Sequence, residues 1–259
     1  MIRGIAKIVF SSLFIILLSI WLTLYLIENF TTYQNFQKII NIGVQKIASS
    51  QFGNLTKEER INLINQYCSF SSYLEIPKNE PLIEKNINIS CSELKNKDPL
   101  EVISQKISSE IYYKQYNCNF VDCLEENPFY VFSESANSSF NFFEKISLIL
   151  TILFGILTLV AYKSWDGRLK FFGISFLIVG IYSFLLLNYS DSLTNILLQK
   201  FSQIQVEGMD QIVNLIVQLF VSPLELIYKV TLLLGVFLLG LGYFLNYLTF
   251  IRAKRKKKK

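Results

Sequence analysis

Four long apolar runs divide the chain into membrane-like and polar parts. They occupy residues 8–27, 146–162, 171–188 and 223–251 and contain few charged side chains. Because an α-helix rises about 1.5 Å per residue, roughly twenty apolar residues cross a hydrocarbon core of about 30 Å. The pattern therefore predicts a mainly α protein built on a bundle of four transmembrane helices.

The first apolar run indicates an uncleaved signal-anchor within residues 1–27. Arg3 and Lys7 precede it, as positive charges precede the core of a secretory signal. A cleavable signal has an apolar core of about 7–15 residues that ends at small side chains. Here the run is longer and continues through the bulky residues Trp21 and Tyr25. We expect this segment to remain in the protein as the first span.

A polar segment, residues 28–145, separates the first two spans and predicts a small, mostly helical domain. Thr56 and Glu59 have the spacing of a capping box, in which each side chain bonds the other's backbone amide at a helix start. A further helix is expected after Asp98, because proline follows it and suits the first helical position. We also expect an amphipathic helix over 36–47.

The remaining parts of this segment are predicted from local pattern. The 36–47 helix is expected to continue from the first span. Residues 71–97 are polar and contain two prolines, which predicts a connecting loop. The run 129–132 is aromatic and β-branched, which predicts a short extended piece.

Residues 189–222, between the third and fourth spans, predict amphipathic or interfacial helices. Residues 211–224 carry no charge but are too short to span a membrane. They suit an interfacial or re-entrant helix, or equally a helix that packs beneath the polar domain. The fourth span is expected to begin at a second capping box, Ser222 to Glu225. A polar stripe that could face an interface or a pore is formed by Gln211, Asn214 and Gln218.

Charge distribution predicts which side of the membrane each polar segment occupies. The N-terminus, the turn 163–170 and the tail 252–259 together carry twelve Lys or Arg and one acid, Asp166. The rest of the chain carries 13 Lys or Arg against 19 acids, spread over a much longer length. Basic residues concentrate on the cytoplasmic side of membrane proteins. We therefore expect both termini in the cytoplasm and residues 28–145 outside it.

All the cysteines fall in the segment predicted to be extracytoplasmic: Cys68, Cys91, Cys118 and Cys123. An even number of cysteines in an exported segment predicts disulfides. A zinc site is the alternative, but the paired C-x-x-C spacing of structural zinc is absent. Cys91 and Cys118 would lie at opposite ends of a helix roughly 25 Å long, beyond disulfide reach. The predicted pairs are therefore Cys68–Cys91 and Cys118–Cys123.

The amino-acid composition limits the catalytic and metal sites that the chain could form. The chain has no histidine, which excludes Ser-His-Asp and Cys-His nucleophiles, HExxH zinc sites and histidine-held haem. No Walker, Rossmann or EF-hand pattern occurs. We expect no enzymatic activity, no cofactor and no metal site, and the sequence identifies no small-molecule substrate.

The C-terminal tail is strongly basic. A basic cluster can bind nucleic acid, but one that abuts an apolar helix is more simply an anchor at lipid headgroups. We expect no nucleic-acid partner and assign the lipid bilayer as the tail's partner. The membrane-surface anchor comprises Arg252, Lys254, Arg255, Lys256, Lys257, Lys258 and Lys259.

Two functional hypotheses follow. The first is a non-enzymatic scaffold or interaction protein of the cell membrane, which would present the 28–145 domain to a protein partner or to another copy of itself. The alternative is a subunit of an oligomeric channel or of a lipid or solute transport complex. In topology the chain is similar to claudins and tetraspanins, but their cysteine motifs are missing, so we assign no family.

Overall fold

The structure is a computed structural model that describes residues 2–53, 55–78, 85–189 and 209–256. The chain divides into two compact units. Unit 1 comprises Met1–Ile27, Asn141–Asp191 and Phe220–Lys259, and unit 2 comprises Glu28–Phe140 and Ser192–Leu219. The amphipathic helix predicted just after residue 190 lies outside the described residues.

The described elements follow one another mainly as helices. In chain order they are α1 (Ile2–Phe30), α2 (Tyr33–Phe52), α3 (Lys57–Phe70), β1 (Tyr73–Ile76), β2 (Ile87–Ser90), α4 (Cys91–Leu94), α5 (Pro99–Tyr112), α6 (Phe120–Glu126), a 3-10 helix (Pro128–Phe132), α7 (Glu134–Ala161), α8 (Trp165–Asn188) and α9 (Met209–Lys256).

Among the described residues, four helices are long and apolar enough to cross a membrane. They contain the segments Gly4–Phe30, Glu134–Ala161, Trp165–Asn188 and Asn214–Ile251. The prediction of a mainly helical membrane protein with four candidate spans is confirmed. The turn before α8 is shorter than the predicted 163–170, because the helix begins at Trp165 and includes both Asp166 and Lys170, which form an ion pair one turn apart.

The helix start predicted at the Ser222 capping box is wrong. Helix α9 runs without a break from Met209 to Lys256 and includes Pro223. Residues 211–224 are therefore its first part and not a separate short helix. Proline has no amide to donate to the carbonyl of Leu219, four residues earlier, but this is tolerated in membrane helices. The capping pattern from Ser222 to Glu225 therefore lies inside a long apolar helix and does not mark a helix start.

Helices α8 and α9 of unit 1 approach each other at glycines. A Cβ atom added to Gly173 would lie 2.9 Å from the carbonyl oxygen of Gly235, and one added to Gly235 would lie 3.0 Å from the carbonyl oxygen of Gly173. The two backbones are therefore in direct contact, the arrangement that small residues permit in membrane helices. Elsewhere in unit 1, Phe14 and Phe171 pack in an aromatic-rich cluster.

Unit 2 confirms both predicted helix starts. The Thr56 hydroxyl accepts a hydrogen bond from the Glu59 amide, and the Glu59 carboxylate accepts one from the Thr56 amide. Asp98 caps α5 by accepting a hydrogen bond from the Leu100 amide, and Pro99 is the first helical residue. The cap residues therefore define the ends of α3 and α5, whose buried faces meet.

Two other predictions for unit 2 are wrong. The segment 71–97 is not simply a loop, because β1 and β2 form an antiparallel pair with Tyr73 opposite Ser90, followed by α4. Each strand is only four residues long. The alternation of buried and exposed side chains is seen only in the paired strands, where Ile87 and Ile89 are buried. Residues 79–84 lie outside the described residues.

The region around 129–132 and the start of α2 also differ from prediction. Residues Pro128–Phe132 form a 3-10 helix and not an extended piece. Helix α2 does not continue from α1, because a turn at Thr31 and Thr32 separates them. Both threonine hydroxyls donate to carbonyls of the preceding turn, at Glu28 and Asn29, so side-chain bonds compete with helix continuation there.

Two disulfides brace unit 2 with the pairing that the helix arrangement predicts. Cys68 is joined to Cys91 with 5.6 Å between Cα atoms, and Cys118 is joined to Cys123 with 5.4 Å. The first bond ties the end of α3 to the start of α4. It lies against a core of aliphatic side chains formed by Ile64, Ile87, Ile89, Leu94 and Val102.

Candidate ligand-binding cavity

Unit 2 contains a cavity of about 640 Å³ between α2, α3 and α5. This volume falls within the roughly 300–1,000 Å³ typical of small-molecule sites. Most of the lining is aliphatic. The lining residues are Ile42, Gln45, Lys46, Ala48, Ser49, Gly53, Leu55, Arg60, Leu63, Ile64, Tyr67, Leu74, Pro99, Leu100 and Ile103.

The helical repeat explains why these residues meet. Helix α3 contributes Arg60, Leu63, Ile64 and Tyr67, which are spaced at three, four and seven residues and so share one face. Helix α2 contributes Ile42, Gln45, Lys46 and Ser49 at the same spacing. Each face combines apolar and polar side chains, so the cavity has an apolar body with polar groups in its wall.

An ion pair fixes the arginine of the cavity wall. The Arg60 Nη2 and Nε atoms donate to the two carboxylate oxygens of Asp98, at 2.5 Å and 3.1 Å. Arg60 Nη1 donates to the carbonyl of Leu55 at 2.7 Å. Such bidentate pairing holds the guanidinium in one geometry and connects α3 to the cap of α5. Arg60 is therefore a structural group whose charge is largely neutralised.

The pKa of Asp98 reflects this pairing. Burial is the largest influence and would raise the pKa of the carboxyl group. The hydrogen bonds from Arg60 and from the Leu100 amide, with the charge of Arg60, act in the opposite direction and prevail. The pKa of Asp98 therefore lies below its ordinary value, and the carboxylate is charged at neutral pH.

Lys46 is the second cation of the cavity wall, and its surroundings differ. Its side chain is half-buried, and no ion pair of its ammonium occurs among the described residues. No acidic residue belongs to the described lining. Because Arg60 is already neutralised by Asp98, Lys46 is the cation of the described lining that has no acidic partner among the described residues.

An apolar stripe on α3 continues from the cavity to the surface. Leu63 and Tyr67 line the cavity and are also exposed, by 55% and 42%. Phe70 lies one turn further along the helix and is 88% exposed. Large apolar side chains that cluster on a surface commonly mark a binding region. The exposed stripe and the cavity therefore form one continuous apolar surface.

The predicted site residues lie elsewhere. The four cysteines form the disulfides and do not line the cavity. Arg252, Lys254, Arg255 and Lys256 belong to the end of α9, and residues 257–259 lie outside the described residues. Gln211, Asn214 and Gln218 all lie on α9, with the side chains of Asn214 and Gln218 exposed.

The cavity was not predicted from the sequence. One signal was present, since Lys46 lies one turn after the apolar residue Ile42 on the same face of α2. The distance between α2, α3 and α5 depends on tertiary packing, however, and the helical repeat does not encode it. Comparison with known proteins adds no functional assignment. No family model, curated protein or solved structure matches this chain.

Proposed function

We propose that this protein acts by binding, as a non-enzymatic interaction or scaffold protein of a cell membrane. The apolar cavity of unit 2 is the observation that carries this proposal. The four candidate spans anchor the chain in the bilayer, and unit 2 lies on the extracytoplasmic side. Two properties support that placement: the basic residues concentrate in the segments assigned to the cytoplasm, and all four cysteines are oxidised.

The polar groups of the cavity favour binding over catalysis. Arg60 is held by Asp98, and the Ser49 hydroxyl donates to the carbonyl of Lys46 at 2.9 Å. Nucleophilic catalysis needs a side-chain base within hydrogen-bond reach of the nucleophile. Ser49 instead bonds a backbone carbonyl, and the wall is otherwise mainly aliphatic. This is the composition of a site that retains a ligand.

Photo-crosslinking in cells tests the proposal with the full-length protein. The photoreactive amino acid p-benzoylphenylalanine replaces Leu63 at the cavity rim or, as a control, Val121 on α6. Both positions are in unit 2 and similarly exposed, at 55% and 60%. We expect a discrete adduct at Leu63 that is absent at Val121, and we expect the substitution Ile103→Trp, which fills the cavity, to abolish it. The adduct's mass is read by mass spectrometry.

Either a protein or a lipid adduct specific to Leu63 supports binding by unit 2. The absence of any adduct at Leu63, or the same products at Leu63 and Val121, overturns the proposal. The side of the membrane is tested separately with an impermeant amine reagent on intact cells. Labelling of Lys38 without Lys254 supports the proposed orientation, and labelling of Lys254 alone contradicts it.

A further inference from the structure

We infer that the cavity of unit 2 binds a single-chain amphiphile with an anionic headgroup, such as a fatty acid or a lysophospholipid. The inference rests on the proposed function, because it names the ligand of the same cavity. It assigns the acyl chain to the aliphatic wall and the anionic group to Lys46.

The wall is suited to a flexible hydrocarbon chain. Nine of its fifteen residues are aliphatic or proline, and the single aromatic residue is Tyr67. Sites for planar bases or rings commonly offer aromatic faces for stacking. Here the wall instead offers branched aliphatic side chains, to which an extended chain of methylenes is complementary. The volume of about 640 Å³ is that of a small-molecule site and not of a groove for a folded partner.

The charge of the wall selects the headgroup. Lys46 and Arg60 are its only ionisable groups besides Tyr67, and no acid belongs to the described lining. Arg60 already bonds both oxygens of Asp98. A lysine ammonium beside an apolar cavity, with no ion pair among the described residues, is stabilised by a charge-assisted hydrogen bond to a carboxylate or phosphate. Lys46 is therefore the group to which the anion binds.

The stripe on α3 provides the route by which an amphiphile enters. Leu63 and Tyr67 belong both to the cavity and to the exposed surface, and Phe70 extends that surface by another turn. A lipid-derived ligand leaving a bilayer or a carrier would keep its chain in contact with apolar side chains along this path. A polar metabolite would gain nothing from such a surface. The stripe thus agrees with the aliphatic wall in favouring a lipid.

Photolabelling of the full-length protein in phosphatidylcholine nanodiscs tests the inference. The probe is palmitic acid carrying a diazirine on its chain, and labelled peptides are mapped by mass spectrometry. We expect labelling of the cavity segments around residues 42–49, 63–67 and 99–103, in addition to the background labelling of the spans. Unlabelled palmitate should compete for the cavity label, whereas hexadecanol, which has the same chain without the charge, should compete about tenfold less well.

Charge variants assign the headgroup contact. We expect Lys46→Gln to weaken palmitate competition about tenfold and to leave hexadecanol competition unchanged. Lys38→Gln is the matched control, because Lys38 lies on the same helix, is exposed and does not line the cavity. Lys46 has no ion pair among the described residues, so we expect Lys46→Gln to leave the fold intact. It therefore tests the inference even if the cavity-filling variant Ile103→Trp disturbs folding.

The outcomes separate this inference from the proposed function. Labelling confined to the spans, or equal competition by palmitate and hexadecanol, overturns the anionic amphiphile. Unchanged palmitate competition in Lys46→Gln overturns the assignment of Lys46. A protein adduct at Leu63 in cells, together with no cavity label by the palmitate probe, supports the proposed function and overturns the lipid ligand. Lysophosphatidic acid, a single-chain amphiphile with an anionic phosphate, that competes as well as palmitate identifies a phosphate headgroup, and failure of that competition identifies a free carboxylate.

Discussion

Unit 1 and unit 2 are both mainly helical, yet unit 1 exposes far more of its large apolar side chains. In unit 1 large apolar residues such as Leu233 are exposed, while Thr158 and Ser175 are fully buried. In unit 2 the fully buried residues include Ile89 and Leu94. The same secondary structure is therefore stabilised by different interactions in the two units. An exterior rich in large apolar side chains is suited to lipid, whereas an exterior with few of them is suited to water.

In unit 1 small and hydroxyl-bearing residues allow helices to approach. The hydroxyls of Thr158 and Ser175 donate to carbonyls one turn earlier, at Phe154 and Phe171, so they bring no unsatisfied group into the contact. Lipid chains are as apolar as leucine, so burying leucine between helices gains little in a membrane. Close backbone packing, as at Gly173 and Gly235, is therefore an interaction that can hold such helices together.

Unit 2 uses the interactions of a small water-exposed domain. An aliphatic cluster, two disulfides, an Arg–Asp pair and side-chain caps all contribute there. Domains with a modest core commonly need such covalent support. The contrast predicts that changes to covalent and polar groups will affect unit 2, whereas changes to small residues will affect unit 1.

The largest expected effect is loss of the Cys68–Cys91 disulfide. The bond closes a loop with a sequence separation of 23, and its double replacement by alanine should destabilise unit 2 by about 3 kcal/mol, mainly by freeing the unfolded chain. Hydrogen exchange of the full-length protein, followed by mass spectrometry, measures the effect in each unit. Peptides of α3 and α5 should lose protection, and peptides of α8 should keep it.

The second disulfide is the internal comparison. Cys118 and Cys123 are separated by 5 residues, so their replacement should cost less, about 2 kcal/mol. Equal loss of protection in α8 and α3 after removal of Cys68–Cys91 would show that the two units unfold together, and the contrast between them would then fail.

The next effect concerns the α8–α9 contact in unit 1. An added Cβ at Gly235 would lie 2.9 Å from the backbone nitrogen of Leu177, whereas one at Gly240 meets nothing within 4 Å. Gly235→Ala should therefore destabilise unit 1 by about 2 kcal/mol through overpacking, and Gly240→Ala on the same helix should be neutral or slightly stabilising. The fluorescence of Trp21 and Trp165, the only tryptophans and both in unit 1, follows unfolding in detergent. Equal stability of the two variants would contradict the close contact.

Structural features that depend on neighbouring residues were predicted from the sequence better than features that depend on tertiary packing. The four apolar helices and the caps at Thr56 and Asp98 depend on residues close in sequence, and they were predicted. The β1–β2 pair and the cavity depend on segments that meet only after folding, and they were missed. At Pro223 a local pattern was misleading. The capping box from Ser222 to Glu225 predicted a helix start, but the long apolar helix α9 continues through it. Hydrophobic pattern thus predicts which segments form helices better than it predicts the spaces between them.

A smaller effect is expected at the Arg60–Asp98 pair in unit 2, where side-chain exposure is 25% and 14%. Asp98→Asn keeps an oxygen that can cap α5 but removes the charge, and should destabilise unit 2 by about 1.5 kcal/mol at pH 7. Because the pKa of Asp98 is lowered in the folded state, its contribution is complete above the ordinary aspartate pKa and is lost as pH falls below it. Hydrogen exchange of α5, corrected for intrinsic rates, should therefore show the difference between the variant and the wild type shrinking as the pH falls through the lowered pKa of Asp98.

Glu59 provides a check on that pH dependence. Hydrogen bonds from the Thr56 backbone and side chain lower the pKa of the Glu59 carboxyl group. Its charged form therefore also stabilises the folded state, and this stabilisation is lost as the pH falls. Asp98→Asn should consequently reduce the acid sensitivity of unit 2 without removing it. A variant with unchanged acid sensitivity would show that Asp98 is not charged in the folded protein.

The smallest effect is expected at the Thr56 cap. Thr56→Ala removes the acceptor of the Glu59 amide and should destabilise α3 by about 1 kcal/mol, with the first turn most affected. Thr56→Ser is the matched control, because serine keeps the hydroxyl and should preserve most of the stability. Exchange rates of peptides covering residues 57–62 measure the difference, and equal rates in the alanine and serine variants would contradict the cap. The start of α3 is therefore stabilised by polar groups close in sequence, whereas the contact of α8 with α9 in unit 1 depends on small residues that are distant in sequence.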